Sequence, residues 1–407
     1  MVSNKLKPSD PSAGIMGMVA NDPSLTTAKE NAEVLQTIVN FAQSGESGGC
    51  PSTVYGATIV FPGHSTVPSP IGVGGSDRGA EYYIAVPDGA TVNAAILISC
   101  NWPLKFVGTG NVKLVMVKNA DNTTAGDMFQ IGNDSAGDNV GGITFEDLEL
   151  RYPQFAEGDT PLVESYTAIH VLAEGAENVR LVRMVFTDCP VAVNIQNGLN
   201  ANVVQCMFNY TANGNIGTAI ILGDDQGDAV NEVYIDGCLF YADDAPPGST
   251  GLVIMGAEHV KMSDCRMDSF LNGIQIVPSA PGKNAVRCTF TAVAILTGVS
   301  GENVVGQCLL VQPNLNPETG QFAQIAQIVF AGCSFELGET AAPVSPGGPG
   351  ILINANNGSG ETGGIIDNVR FVSCYVTRWP GPGLQIEGGV TNLEVLGGFY
   401  AGNNYDD

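Results

Sequence analysis

The chain has 407 residues, 44% of them apolar, and 41 acidic against 16 basic side chains give a formal net charge of −25. That charge repels a phosphate backbone and excludes nucleic acid as a partner. No apolar run reaches the length of a membrane span and the opening MVSNKLKPSDPSAG has no hydrophobic segment, so neither a membrane partner nor a signal peptide is expected in this chain.

Residues 1–23 are polar and turn-rich and read as an extended arm. A helix is predicted next. Thr27 and Glu30 spell a capping box, and Ala32, Leu35, Ile38, Val39 and Ala42 form one apolar stripe at helical spacing. The helix should stop at SGESGG, residues 44–49. Strands are predicted at 56–64, 82–86, 95–99, 104–107, 112–117 and 128–131, with a loop at 65–80. The expected division is an arm with a capping helix over residues 1–50, and one elongated domain over 51–407.

From about residue 140 the sequence repeats itself. The phrase is apolar, mixed, Cys, any residue, large apolar. It occurs as VVQCMF, IDGCLF, MSDCRM, AVRCTF, VGQCLL, FAGCSF and FVSCYV, carrying Cys206, Cys238, Cys265, Cys288, Cys308, Cys333 and Cys374. Leu148, Met184 and Gly398 stand at the same point of three further copies. A second phrase (small, apolar, any, apolar) alternates with it, as in AIHV, AVNI, AIIL, GLVI, GIQI, GILI and GLQI. Each repeat thus reads as two short period-2 strands and a turn. One such strand cannot bury its face alone, but coils stacked as a solenoid can. The cysteines then lie on one inward ladder, buried and reduced. No CxxC pair is present, so neither a metal cluster nor a disulfide framework is expected.

The order of NAEVLQTIV, a glycine-rich break, GATIVFPGH and FVGTGNVKLVM resembles the pectate-lyase-like superfamily. The resemblance spans residues 22–400 and implies a right-handed, single-stranded parallel β-helix, here with an N-terminal capping α-helix. The superfamily holds polysaccharide lyases, glycoside hydrolases, epimerases and phage tailspikes, and several members are trimers. A homotrimer and an extracellular or virion-associated location follow as expectations.

Chemistry must sit on outward positions, since the inward ones are core. The second strand should point Gln130, His170, Asn194, Ile221, Val253, Gln275, Leu352 and Gln385 outward. The apolar members suggest a contact surface. Long loops at 152–166, 209–217, 241–249 and 336–349 leave one flank and should wall a groove. Their Tyr, Asp, Asn and Glu content suits a polysaccharide or oligosaccharide. Glycoside hydrolysis needs two carboxyls across the bond. The acid pool is Asp224 and Asp225 in GDDQGD with Asp243 and Asp244 ahead of a strand; Glu164 and His170 are outer candidates. No cofactor is expected, and calcium at GDDQGD is the one metal considered. A second outward cluster, Asp264, Arg266 and Asp268, reads as cross-strand ion pairing or as the basic centre of a lyase. The leading reading is a glycosidase-type depolymerase. The alternative is a non-catalytic glycan-binding or structural β-helix of tailspike or adhesin type, and the third is a lyase.

Overall fold

A computed structural model of the chain describes residues 5–6, 17–43, 57–62, 80–99, 103–118, 125–132, 140–153, 166–172, 176–211, 217–224, 230–242, 249–278, 284–297, 299–300, 304–314, 322–338, 348–356 and 365–401. It is a right-handed parallel β-helix with one N-terminal helix. Each coil but the last, among the described residues, contributes a strand to each of three parallel sheets, here A, B and C in chain order. The coil from Gly198–Val204 (A) through Met207–Tyr210 (B) to Thr218–Leu222 (C) is representative. Sheet B holds 11 such strands, one per coil. A small antiparallel ribbon, Val299–Ser300 with Val304–Val305, interrupts the course between sheets B and C.

Two strands per repeat were expected, and there are three. The cysteine phrase is a corner, not one strand. Immediately before each corner residue the backbone turns left-handed, at Asp147, Arg183, Gln205, Gly237, Asp264, Ala292, Gly332, Ser373 and Gly397, with φ between 50° and 68°. Leu148, Met184, Cys206, Cys238, Cys265, Val293, Cys333, Cys374 and Gly398 then start the move from sheet A to sheet B. The inter-coil bonds run along this column, from Met207 N to Met184 O, Leu239 N to Cys206 O and Ser334 N to Val293 O.

The corner explains the cysteines. Each corner thiol can donate to the carbonyl two residues back and to one in the preceding coil: Cys206 to Val204 and Leu181, Cys238 to Asp236 and Val203, Cys333 to Ala331 and Phe290. A small apolar side chain with one weak donor fits a tight turn whose carbonyls point inward.

Two of the seven cysteines are elsewhere. Cys288 follows a second left-handed column that bends sheet A: Asn178, Asn200, Glu232, His259, Arg287, Gln327, Asn368 and Asn392, with φ between 53° and 60°. It stands level with Val260 and Ile328, while Val293 takes the corner. Cys308 opens the sheet C strand Leu309–Val311. Both bends are a left-handed residue followed by an inward side chain, so the two spell alike.

All eight described cysteines are buried and free. Burial pushes the Cys288 and Cys308 thiols up to about 12. At neutral pH these eight are expected to stay silent to a thiol reagent in the native protein. They should all react after unfolding without reductant; fewer than eight free thiols then would overturn the ladder.

Inside the tube like residues stack coil on coil. Phe186, Phe208 and Phe240 are parallel at 5.0 and 4.6 Å between ring centroids, and Phe290, Phe330 and Phe371 at 4.7 and 5.1 Å. The spacing is that of neighbouring strands, about 4.8 Å.

The helix, Leu25–Gln43, closes the first coil. Its N-cap is Ser24 rather than Thr27: the Thr27 N–H donates to Ser24 Oγ at 3.3 Å, and the Thr27 hydroxyl to Asp22 Oδ2 at 2.7 Å. Of the predicted stripe, Ala32, Leu35, Ile38 and Val39 are buried against the coil and Ala42 is half-buried, and Ala28 joins them. Polar side chains on the same face meet the exposed strand edges. Gln36 donates to Leu97 O at 2.9 Å and accepts from Leu97 N at 2.7 Å. Buried Asn31 bonds both backbone groups of Val19 and the carbonyl of Tyr83. Edges of sheets B and C are thus covered, and Lys5–Leu6 pairs with Ala57–Pro62 at the edge of sheet A. The last coil lacks such cover among the described residues: its inward Ile386, Val395 and Tyr400 are 39–44% exposed.

Candidate functional site

The expected outward row of the second strand is a single register on sheet C. Gln130, His170, Asn194, Ile221, Val253, Gln275, Leu310, Leu352 and Gln385 are successive partners. Leu310 is the addition, hidden because VGQCLL was read as a copy of the cysteine phrase, the other strand of the repeat.

The four long loops all leave the corner between sheets B and C. Asp243, Asp244 and Glu164 fall in connections at that corner and Asp225 in one at the opposite corner; all four lie outside the described residues. The described flanks are nonetheless informative. Ala242 and Thr250 stand before sheet C, whereas Asp224 follows Thr218–Leu222 as the chain leaves it. Asp224 and Ala242, the described residue before Asp243, thus stand on opposite sides of sheet C, whose strand Thr250–Ile254 is five residues or about 17 Å long. Asp224 and His170 are not brought together either, since His170 lies two coils earlier in the register of Ile221. GDDQGD is also mostly outside the described residues. Among the described ones, no group of three His, Cys, Asp or Glu could hold a metal.

Two arrangements stand out instead. The first is the outer face of sheet B, beside the corner with the long loops. One column there reads Thr187, Asn209, Tyr241, Asp268, Leu296, Glu336, Thr377. Asp268 and Glu336 are two coils apart, or about 9.6 Å along the tube. Tyr241, directly above Asp268, is 38% exposed, and Leu239 beside it 39%. Arg266 Nη2 lies 2.7 Å from Asp268 Oδ2, and Ser269 Oγ donates to Oδ1 at 3.2 Å. Asp264 instead occupies the left-handed corner, so the expected Asp264–Arg266–Asp268 stripe reduces to the Arg266–Asp268 pair. Tyr241 and Glu336 had been read as the first residues of loops. They close strands, and the alternation Phe240 in, Tyr241 out, Ala242 in was the available signal.

The second arrangement is on sheet C. His170 Nδ1 is 2.7 Å from Asp127 Oδ2, and Asp127 Oδ1 accepts the Thr167 N–H at 2.7 Å. Tyr152 fixes this end of the strands from below. Its buried hydroxyl is 2.7 Å from Gly126 O and 3.0 Å from Thr167 O, and burial holds the phenol proton far above its ordinary range. His170 Nε2 and Asn194 Oδ1, on adjacent coils, are buried without a hydrogen-bond partner. Asp127 was missed because it looks like a turn residue before MFQI.

Elsewhere the outer charges pair across coils, as expected for this surface. Arg183 meets Asp147 at 2.7 Å and also Glu146, which Lys105 reaches from the coil above.

No protein-family model matches the chain, and no curated protein does. Solved structures do. A double mutant of the tailspike protein of E. coli bacteriophage HK620 is 13% identical with a TM-score of 0.62, covering 97% of this chain and 67% of that one. Another mutant of that tailspike, in complex with a pentasaccharide, is 13% identical with a TM-score of 0.60, covering 99% and 68%. A surface adhesin of Streptococcus pneumoniae, PfbA, is 13% identical with a TM-score of 0.49, covering 92% and 88%. At such identities the likeness concerns the fold, the parallel β-helix that the sequence resemblance implied.

Proposed function

We propose that this chain is a carbohydrate-active protein that depolymerises a polysaccharide by hydrolysis, in a groove over the outer face of sheet B. The observation that carries the reading is the column Tyr241, Asp268, Leu296, Glu336 beside the corner with the longest loops. The two carboxylates stand about 9.6 Å apart at the backbone, near the separation of about 6.5–9.5 Å that leaves room for a water and inverts the anomeric centre. An exposed tyrosine one coil away offers a flat apolar face to a sugar ring. Asp243, Asp244 and Glu164 belong to the connections of the same corner and join this acid pool. Asp224, Asp225 and His170 are further from it, the first two at the opposite corner.

A second reading, glycan binding without cleavage, draws support from Arg266, whose guanidinium already engages Asp268 at 2.7 Å and so ties that carboxylate up in a surface ion pair. The likeness to a tailspike solved with a pentasaccharide is compatible with both, as is an extracellular or virion-associated setting. The half-buried outward row Ile221, Val253, Leu310 and Leu352 would serve as the contact face of a homotrimer. Incubation with a panel of bacterial polysaccharides tests the proposal. New reducing ends without an ultraviolet-absorbing unsaturated product are expected. Binding with no product sinks hydrolysis in favour of the second reading, and an unsaturated product means elimination.

A further inference from the structure

We infer that Tyr375 is a second sugar platform on the outer face of sheet B, and that together with Tyr241 it sets the length of neutral glycan held there at roughly five units, one for each coil of about 4.8 Å. The inference rests on the carbohydrate reading for its ligand class, but not on hydrolysis.

The relief of the face leads to it. Beside the column of Tyr241, Asp268, Leu296 and Glu336 runs a second outward column, Leu239, Arg266, Ala294, Ser334, Tyr375. It is large at both ends and low in the middle. Among the described residues, three large apolar side chains are exposed on this face: Leu239 and Tyr241 on one coil, and Tyr375, 52% exposed, four coils on. Between them Arg266 is drawn onto Asp268 by their ion pair, and half-buried Ala294 and Ser334 form a low floor beside Leu296 and Glu336. A lone exposed ring needs no explanation. What singles out Tyr375 is its register, one coil beyond Glu336 as Tyr241 is one coil before Asp268. The open end of the tube does not cause its exposure. Its strand, Tyr375–Thr377, pairs on both sides, at Ser334 and at Phe399, and the alternating residue Val376 is buried.

The pattern selects the occupant. A protein partner or a lipid tail wants one continuous apolar patch, and here two carboxylates interrupt it. Those carboxylates also repel a polyanion. A neutral sugar chain fits both parts: its flat carbon faces lie on the rings, and its hydroxyls donate to the acids between them. A pyranose unit is about as long as one coil step, so the four steps from Tyr241 to Tyr375, about 19 Å, are spanned by roughly five units. A chain seated on both rings passes over Asp268 and Glu336 with its interior, so a cut there falls within the chain and not at its end.

Binding to an array printed with bacterial polysaccharides tests the platform, in the double variant Asp268→Asn, Glu336→Gln so that the glycan stays whole. This protein should be retained on at least one neutral polysaccharide. Adding Tyr375→Ala should weaken that binding about tenfold, as for one ring lost from a sugar face. Tyr375→Phe, which keeps the ring, should not, nor should Leu199→Ala, an exposed apolar side chain on sheet A. An unchanged melting temperature certifies each fold, and Tyr375→Gln stands in if the alanine variant does not fold. Fragments of the retained polysaccharide, made by partial acid hydrolysis, read the length. Pieces of roughly five units or more should bind more weakly once the Tyr375 ring is gone, and shorter ones should bind equally with and without it. Full binding of the polymer by the alanine variant overturns the platform. A loss of the same size already with a disaccharide makes Tyr375 a separate site and overturns the shared groove. Retention on anionic polysaccharides alone removes the platform, and retention on none removes it together with the carbohydrate reading. Cleavage and binding that ignore Tyr375→Ala remove the platform alone; a working platform in a wild-type protein that yields no new reducing ends removes hydrolysis alone.

Discussion

Asp268→Asn and Glu336→Gln are each expected to lower turnover on the cleaved polysaccharide by about two orders of magnitude or more. The amide keeps the shape of the side chain and its place on the sheet, but can neither give nor take the proton. Both residues are outward on strands whose inward neighbours, Met267, Phe270, Phe335 and Leu337, are buried, so the tube should fold unchanged. Binding of the polymer should persist within a few-fold. Tyr241→Ala should do the opposite, weakening binding with a smaller effect on the chemical step. Arg266→Ala separates the readings further. If Asp268 is a working acid, freeing it from Arg266 changes the rate of turnover; if it only braces the surface, the rate does not move. Near-normal rates in both amide variants would shift the site to Asp243 and Asp244, to be tested by the same substitution.

Removing residues 1–43 is expected to yield aggregates rather than a less active soluble protein. Five helix side chains, Ala28, Ala32, Leu35, Ile38 and Val39, are at most 5% exposed against the first coil. Losing the three larger ones alone uncovers apolar surface worth about 1.5–3 kcal/mol for each. That sum approaches the whole stability of a typical domain, about 5–15 kcal/mol. The polar contacts matter as much for the outcome. Without Gln36 and Asn31 the backbone of Leu97 and the carbonyl of Tyr83 become open strand edge, which recruits other chains. Asn31→Leu isolates this effect. It keeps the apolar contacts but removes the partner of the Val19 and Tyr83 backbone groups, at about 1–3 kcal/mol in all. Light scattering and thermal denaturation check both variants. A soluble, thermally unchanged truncation would show that the helix is not a cap.

Much of the architecture could be read in the chain because period-2 alternation is enforced by burial. GIQI and its relatives have one large inward residue on each side of the outward one, so the outward row of sheet C was read correctly from His170 to Gln385 except at Leu310. The corners were not legible. A left-handed residue is announced by glycine, and only Gly237, Gly332 and Gly397 of the nine corner residues are glycine. Asp147, Arg183, Gln205, Asp264, Ala292 and Ser373 adopt the same turn because coils above and below hold it. That is why two sheets were read as one strand, and why Cys288 and Cys308 were placed in one register with the five cysteines that turn out to stand at the corner. The site suffered for a different reason. Acid-rich loops attract attention in a sequence, yet a solenoid brings together residues one coil apart. Asp268 and Glu336 lie 68 positions apart, a spacing fixed by two coils of unequal length. The partnership of Asp127 with His170 depends likewise on the 40 residues between Asp127 and Thr167, which no local pattern reveals.

The hydrogen bonds between coils run along the tube, and its two ends differ in how they are held. Among the described residues the first coil is clamped by the helix and the last carries no such cover, so under a pulling force the described coils should release from the C-terminal side first. Coils release in turn, each adding its own contour length to the extension. At about 3.4 Å per residue, the turn from Gln324 to Ile365 frees about 140 Å and that from Arg180 to Asn202 about 75 Å. The force trace of this chain would therefore be uneven, and the order of its steps would spell out the order of its coils.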